Sequence, residues 1–166
     1  YTLAAMRRLI ARDCKIIIIA CNTATSIALR YVQQRFLPLE APDVKVLGVV
    51  IPTVEVAIEN GARRVGVAVR ACAPGFANCD SLILGCTHYP LAKTFFRAAL
   101  PGVKVVSQDE LMAAKLENYL TRHPEIESLL TRGGTYRFEV SSLNRHAQKV
   151  AALLFPDIPV EKAANG

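Results

Sequence analysis

Three features of the 166-residue sequence predict an α/β protein with mainly parallel sheets. Short apolar, β-rich runs alternate with segments of helical period through most of the chain. The run at 15–20, Lys-Ile-Ile-Ile-Ile-Ala, is nearly continuous in β-branched residues, as expected of a strand covered on both faces by helices. Hydrophobic residues make up 52% of the composition, enough for a sizeable core in one domain or two small lobes.

In chain order, residues 2–13 place Leu3, Met6, Leu9 and Ile10 at helical spacing. The strand at 15–20 follows. A second helix begins near Thr23 or Thr25, turns Ile27, Tyr31 and Val32 to one side, and is expected to end at Pro38. Residues 44–50 read as a strand. Thr53 reads as the cap of a short helix closing at Asn60-Gly61. Strands at 65–69 and 81–84 come next. A helix over 90–100 directs Leu91, Phe95, Ala98 and Ala99 inward. After a strand at 103–106, Ser107-Gln108-Asp109-Glu110 has the pattern of a capping box opening a helix to about Leu120. A last strand at 135–140 precedes a helix capped by Ser142 that stops before Pro156. Between the strands at 65–69 and 81–84 the connection is short for a parallel crossover, and its Pro74-Gly75 pair disfavours a helix. The expectation is that material is missing there and before the first helix.

The formal charge is +6, but Arg7, Arg8, Arg12, Arg63, Arg64, Lys93 and Arg97 are scattered, most of them on solvated helix faces. No basic stripe with interleaved aromatics points to nucleic acid. No apolar run approaches the roughly 18–20 residues that span a bilayer, and no export signal is present, so a membrane is not an expected partner. The five cysteines (Cys14, Cys21, Cys72, Cys79 and Cys86) include no Cys-x-x-Cys pair, so a thioredoxin-like motif and common zinc spacings are excluded. Free thiols in a reducing cytoplasm are the expectation.

Two of those cysteines share a context. Cys21 ends the isoleucine run and is followed by Asn22-Thr23-Ala24-Thr25. Cys86 ends Ser81-Leu82-Ile83-Leu84-Gly85 and is followed by Thr87-His88-Tyr89-Pro90. The C-terminal ends of parallel strands are where open α/β sheets bind ligands. A thiolate serves as nucleophile or base when donors or a helix N-terminus shift its pKa. Asn22 and Thr23 can bind a carboxylate beside Cys21. Thr87 takes the matching place beside Cys86, where His88 can exchange a proton or simply be a satisfied structural histidine. Two thiols facing one carbon suit stereoinversion, whereas any single cysteine also reads as a small buried hydrophobe. That bland reading is accepted for Cys14, Cys72 and Cys79.

The paired motifs, with Gly48-Val49-Val50 and the run Asn60-Gly61-Ala62-Arg63-Arg64-Val65-Gly66-Val67, resemble the glutamate racemases of the aspartate/glutamate racemase family. His88 after Cys86-Thr87 favours the glutamate branch. The resemblance covers most of the chain. It implies two pseudo-symmetric, flavodoxin-like lobes with the active site between them. Residues 1–43 and 104–166 would form the first lobe and residues 44–103 the second. It implies cofactor-independent and metal-free proton transfer at the α-carbon of glutamate, supplying D-glutamate for peptidoglycan in the cytoplasm. Cys21 would act on the D-enantiomer and Cys86, assisted by His88, on the L-enantiomer. Asn22, Thr23 and Thr87 would bind substrate, and the resemblance leaves room for a homodimer. The family's early Asp-Ser and its Pro-Tyr-Gly element have no counterpart among these residues. Its second-lobe threonine-rich strand end and carboxylate would fall near 70–80. An aspartate-type racemase, a non-catalytic glutamate-binding module of the same fold and, more remotely, a cysteine hydrolase are the alternatives.

Overall fold

The computed structural model describes residues 1–68, 73–76 and 78–163. Cys72, read above as a buried thiol, lies outside the described residues. The chain divides into two compact units, Tyr1–Leu130 and Thr131–Gly166.

In the first unit, α1 (Thr2–Ile10) leads into β1 (Ile16–Ile19). Helix α2 (Asn22–Tyr31) then runs without a break into a π-helical turn at Val32–Phe36 and α3 (Leu37–Glu40). Pro38 therefore does not end the helix as expected. It sits at the start of α3, directly after the π-helical turn that accommodates it in the continuing helix. The π turn also buries Val32, Phe36 and Leu37 together, while Ile27 and Tyr31 are exposed. Thr25, Ala28 and Leu29 face inward in their place.

Strand β2 (Lys45–Gly48) pairs in parallel with β1, register Ile17 to Val46. Helix α4 (Val50–Glu59) has Val49, not Thr53, as its N-cap residue. Thr53 lies one turn inside, buried, and its hydroxyl donates to the Val49 carbonyl at 2.6 Å. A threonine can bond the carbonyl four residues back as well as cap a helix, and here it does the former.

Strands β3 (Val65–Ala68), β4 (Ser81–Leu84) and β5 (Lys104–Val106) form a parallel sheet in the order β3-β4-β5. β3 and β4 are thus direct parallel neighbours, and the described residues of the segment linking them include a 3₁₀ turn at Ala73–Phe76. The material expected to be missing near 70–80 falls partly on residues outside the described set. All four residues of β4 are buried. Leu82 and Leu84 pack with Ala68, Phe96, Leu100 and Val105 on one face, and Ile83 packs with Ala57 and Val106 on the other. The continuous apolar run follows from this central, doubly covered position. The expected lobe division assigns β2 to the second lobe and β5 to the first. In the sheets, β2 is the partner of β1, and β5 is the partner of β4.

The turn after β4 leads through a 3₁₀ segment (Tyr89–Ala92) to α5 (Lys93–Ala99). Phe96 is the buried ring, and Leu91 and Phe95 are exposed, which reverses the expected face. The 3₁₀ entry has a different angular step from an α-helix, so the inward stripe shifts by one position. Helices α6 (Gln108–Arg122) and α7 (Pro124–Glu127) complete this unit. The second unit holds β6 (Phe138–Val140), α8 (Arg145–Leu154) and β7 (Val160–Lys162), with β6 and β7 parallel. Its helix is capped by Asn144, whose Oδ1 accepts from the Ala147 amide at 2.9 Å, and not by Ser142. No helix among the described residues is long and apolar enough to cross a membrane.

Gly48 ends β2 against α2. A Cβ there would stand 2.3 Å from Thr25 Cγ2 and 2.8 Å from Leu29 Cδ2. Thr25 cannot swing aside cheaply, because its hydroxyl is bonded to the Ile19 carbonyl at 2.9 Å. Gly48→Ala is accordingly expected to destabilise the chain by about 1–3 kcal/mol, the cost typical of overpacking. A lower urea midpoint at unchanged slope checks it.

Candidate active site

The C-terminal ends of four parallel strands in the first unit carry the polar groups of interest. β1 delivers Cys21 and Asn22, β2 delivers Val49, β4 delivers Cys86 and β5 delivers Ser107 and Gln108. Cys21 is exposed and is the N-cap residue of α2, with extended backbone (φ −83°, ψ 123°). Its carbonyl receives the Thr25 amide at 2.8 Å, and Thr25 is tied in turn to the end of β1. The loop presenting the first thiol is thereby locked between the strand it leaves and the helix it starts. The first-turn amides of α2 lie beside it, where an anionic group is favoured. Asn22 is half-buried and Thr23 exposed.

Cys86 is half-buried, and its Sγ lies 3.8 Å from His88 Nδ1. Thr87 and His88 are both exposed. The turn closes through the Tyr89 amide on the Cys86 carbonyl at 3.0 Å. Gly85 makes the approach possible. Its amide donates to the Ala68 carbonyl at 2.9 Å, and a Cβ there would stand 2.8 Å from Val67 Cγ1. A larger residue would push the second thiol away from the sheet.

No hydrogen bond joins Cys21 to Cys86 among the described residues. The start of α6 instead touches the first motif at Asn22 and the helix that follows the second. Gln108, 6% exposed, pairs with Asn22 amide to amide: its Nε2 donates to Asn22 Oδ1 at 2.9 Å, and its Oε1 accepts from Asn22 Nδ2 at 3.3 Å. The same Nε2 donates to Thr53 Oγ1 at 3.2 Å. One residue on, Asp109 accepts from Lys93 at 2.6 Å, and Glu110 accepts from Arg97 at 2.8 Å. Lys93 and Arg97 belong to the helix that follows Cys86-Thr87-His88. Hydrogen bonds from Lys93 and then Arg97 hold the Glu110 carboxyl below its ordinary pKa. Bonds to Asp109 and Glu110 hold the Lys93 ammonium above its own. The expected capping box does not form: Ser107 is the N-cap residue, but its hydroxyl bonds Asp109 rather than a backbone amide.

Gln108, Thr53 and Thr25 are organisers that the sequence reading placed elsewhere or left without a role. The available signal was position, since Gln108 follows β5 just as Asn22 follows β1. Among the described residues no group of three or more His, Cys, Asp or Glu side chains is arranged to hold a metal ion. A cavity of about 240 Å³ elsewhere in this unit is lined by Leu47, Val49, Met112 and Tyr119 among others, and by neither thiol.

Open parallel sheets with a thiol just past the end of a strand in two successive motifs define an α/β protein with a cysteine-bearing strand-end site. The comparisons with known proteins specify which. No family model matches the chain. The glutamate racemase of Paracoccus denitrificans is 32% identical over 200 residues, covering 82% of this chain and 72% of that protein. The glutamate racemase of Ruegeria pomeroyi is 32% identical over 188 residues, covering 75% of this chain and 69% of that protein. Among solved structures, glutamate racemase from Thermus thermophilus in complex with β-chloro-D-alanine superposes with a TM-score of 0.73 at 26% identity, covering 99% of this chain and 77% of that one. The chain belongs to the glutamate racemase family. Its α/β architecture with parallel sheets is that of the family's two-lobed enzymes.

Proposed function

We propose that this chain racemises glutamate without a cofactor, through Cys21 and Cys86 acting on opposite faces of the α-carbon. The observation that carries the reading is the repeated placement of a Cys-Asn-Thr or Cys-Thr-His motif past the end of a parallel strand, in a chain whose relatives are glutamate racemases. One thiolate takes the α-proton and becomes a thiol. The opposing thiol gives its proton to the other face and becomes a thiolate, so the reaction is proton-neutral and regenerates the enzyme in its mirror state. Cys21 serves the D-enantiomer and Cys86 the L-enantiomer. His88 supports Cys86 by exchanging or sharing a proton across their 3.8 Å contact. Asn22, Thr23 and Thr87 hold the carboxylate and amino groups, helped by the first-turn amides of α2. In the cell this activity would supply D-glutamate for peptidoglycan in the cytoplasm, and the active form is a homodimer.

The test is glutamate in D₂O. Deuterium enters the α-carbon as optical rotation decays, and both processes require the two thiols. Rotation that persists with no deuterium uptake would sink the reading. Chiral chromatography against aspartate decides the substrate in the same assay.

A further inference from the structure

We propose that Gln108 is a positioning residue that fixes which way the Asn22 amide faces beside Cys21, an assignment that rests on the reading of Asn22 as a substrate-binding group. A carboxamide can be rotated by half a turn with little change in shape, which exchanges a donor for an acceptor. At Asn22 that exchange would present an oxygen to a substrate carboxylate where an N–H is needed.

A chain of hydrogen bonds removes the ambiguity. Thr53 has a single hydroxyl proton, and it is spent on the Val49 carbonyl at 2.6 Å. Towards Gln108, 3.2 Å away, Thr53 can therefore only accept. That places the Gln108 NH₂ on the Thr53 side. Its second proton meets Asn22 Oδ1 at 2.9 Å, and the Gln108 carbonyl takes one proton from Asn22 Nδ2 at 3.3 Å. The direction set at a backbone carbonyl at the start of α4 is passed through two side chains to the residue next to Cys21. Asn22 keeps its second N–H for the substrate. Thr53 and Gln108 are 1% and 6% exposed, so water does not compete for these bonds.

Gln108→Glu keeps size and shape but replaces the shared donor with an oxygen. Both Thr53 and Asn22 Oδ1 then face an acceptor, and because a carboxylate accepts equally at either oxygen, nothing sets which way the Asn22 amide faces. Thr53→Val removes the origin of the direction, and Thr53→Ser restores it. Steady-state kinetics should show KM for both glutamate enantiomers rising about 10-fold in Gln108→Glu, the size of one lost hydrogen bond, with kcat changed far less. Thr53→Val should raise KM in the same direction and Thr53→Ser should return it to the parent value, with all three variants folded by circular dichroism. A second readout does not depend on turnover: the Asn22 side-chain amide signals in a ¹⁵N-labelled sample should shift in Thr53→Val and return in Thr53→Ser. Unchanged KM in Gln108→Glu and Thr53→Val, or a KM rise shared by Thr53→Ser, overturns the proposal. If the parent chain fails to racemise glutamate, the racemase reading falls by itself, and the proposal then stands or falls on whether the Asn22 signals move.

Discussion

Replacing Cys86 with alanine is expected to abolish interconversion of the glutamate enantiomers while leaving one half-reaction running. In D₂O the variant should wash the α-proton of D-glutamate into solvent without inversion. Cys21 can still remove that proton and return a deuteron to the same face. L-Glutamate should stay inert, because the base on its side is gone. Cys21→Ala should give the mirror result, exchange of L-glutamate alone, and the double variant should exchange neither. Loss of a positioned acid or base typically costs about 10²–10⁴-fold in rate, so net racemisation should fall at least that far. A 10³-fold loss corresponds to about 4 kcal/mol of transition-state stabilisation. Proton NMR of the α-position, followed alongside chiral chromatography, separates exchange from inversion. Full racemisation by both single variants would remove the thiols from the mechanism. Exchange of the wrong enantiomer would reverse their assignment without touching the two-base scheme. Thr87 and His88 are exposed and Cys21 is exposed, so solvent deuterons reach the site without a gating step.

How much of this was legible in the sequence depends on whether a signal was local. Strand β1 and strand β4 were readable as strands from their apolar runs, but only β4 is buried on both faces; in β1, expected to be covered on both, Ile18 is exposed. The cysteines at their ends followed from the same runs. Cys86 and His88 were also readable as a pair, since two positions apart on one turn they come within 3.8 Å. What escaped was set by contacts distant in sequence. Gln108 looked like an ordinary member of a capping box, yet it is held by Asn22, 86 positions earlier. Thr53 looked like a cap because it precedes a helical pattern, but the helix starts earlier at Val50, and its hydroxyl turns back to Val49. Phe95 and Phe96 are adjacent and equally apolar, so only the phase of the preceding 3₁₀ turn decides which ring is buried. β7 is three residues long, and its pairing with β6 is the reason it is a strand at all.

Leu84→Ala carries the largest expected cost to the fold and connects that fold to the chemistry. Leu84 is fully buried in the central strand and packs with Leu82, Ala68, Phe96, Leu100 and Val105. Its neighbours come from three strands and a helix, so they cannot all close on the space left behind. A buried leucine cut to alanine costs about 2–5 kcal/mol, and poorly collapsing sites lie at the upper end. Against a typical total of about 5–15 kcal/mol, that is a large fraction. Urea unfolding should show a clearly lower midpoint with an unchanged slope. Leu91→Ala provides the contrast: its side chain is 66% exposed in the 3₁₀ segment, and its stability should stay within about 0.5 kcal/mol of the parent. The functional consequence follows from chain order. Leu84 precedes Gly85 and Cys86, and the register of β4 sets how far the second thiol projects beyond the sheet. A cavity beneath Leu84 lets the strand end settle inward, so activity in the folded fraction should fall through Cys86 while Cys21 retains its environment. On the two-base scheme, exchange of L-glutamate should therefore drop more than exchange of D-glutamate. Equal losses for the two enantiomers would mean that the cavity acts on the whole fold and not on the placement of one thiol.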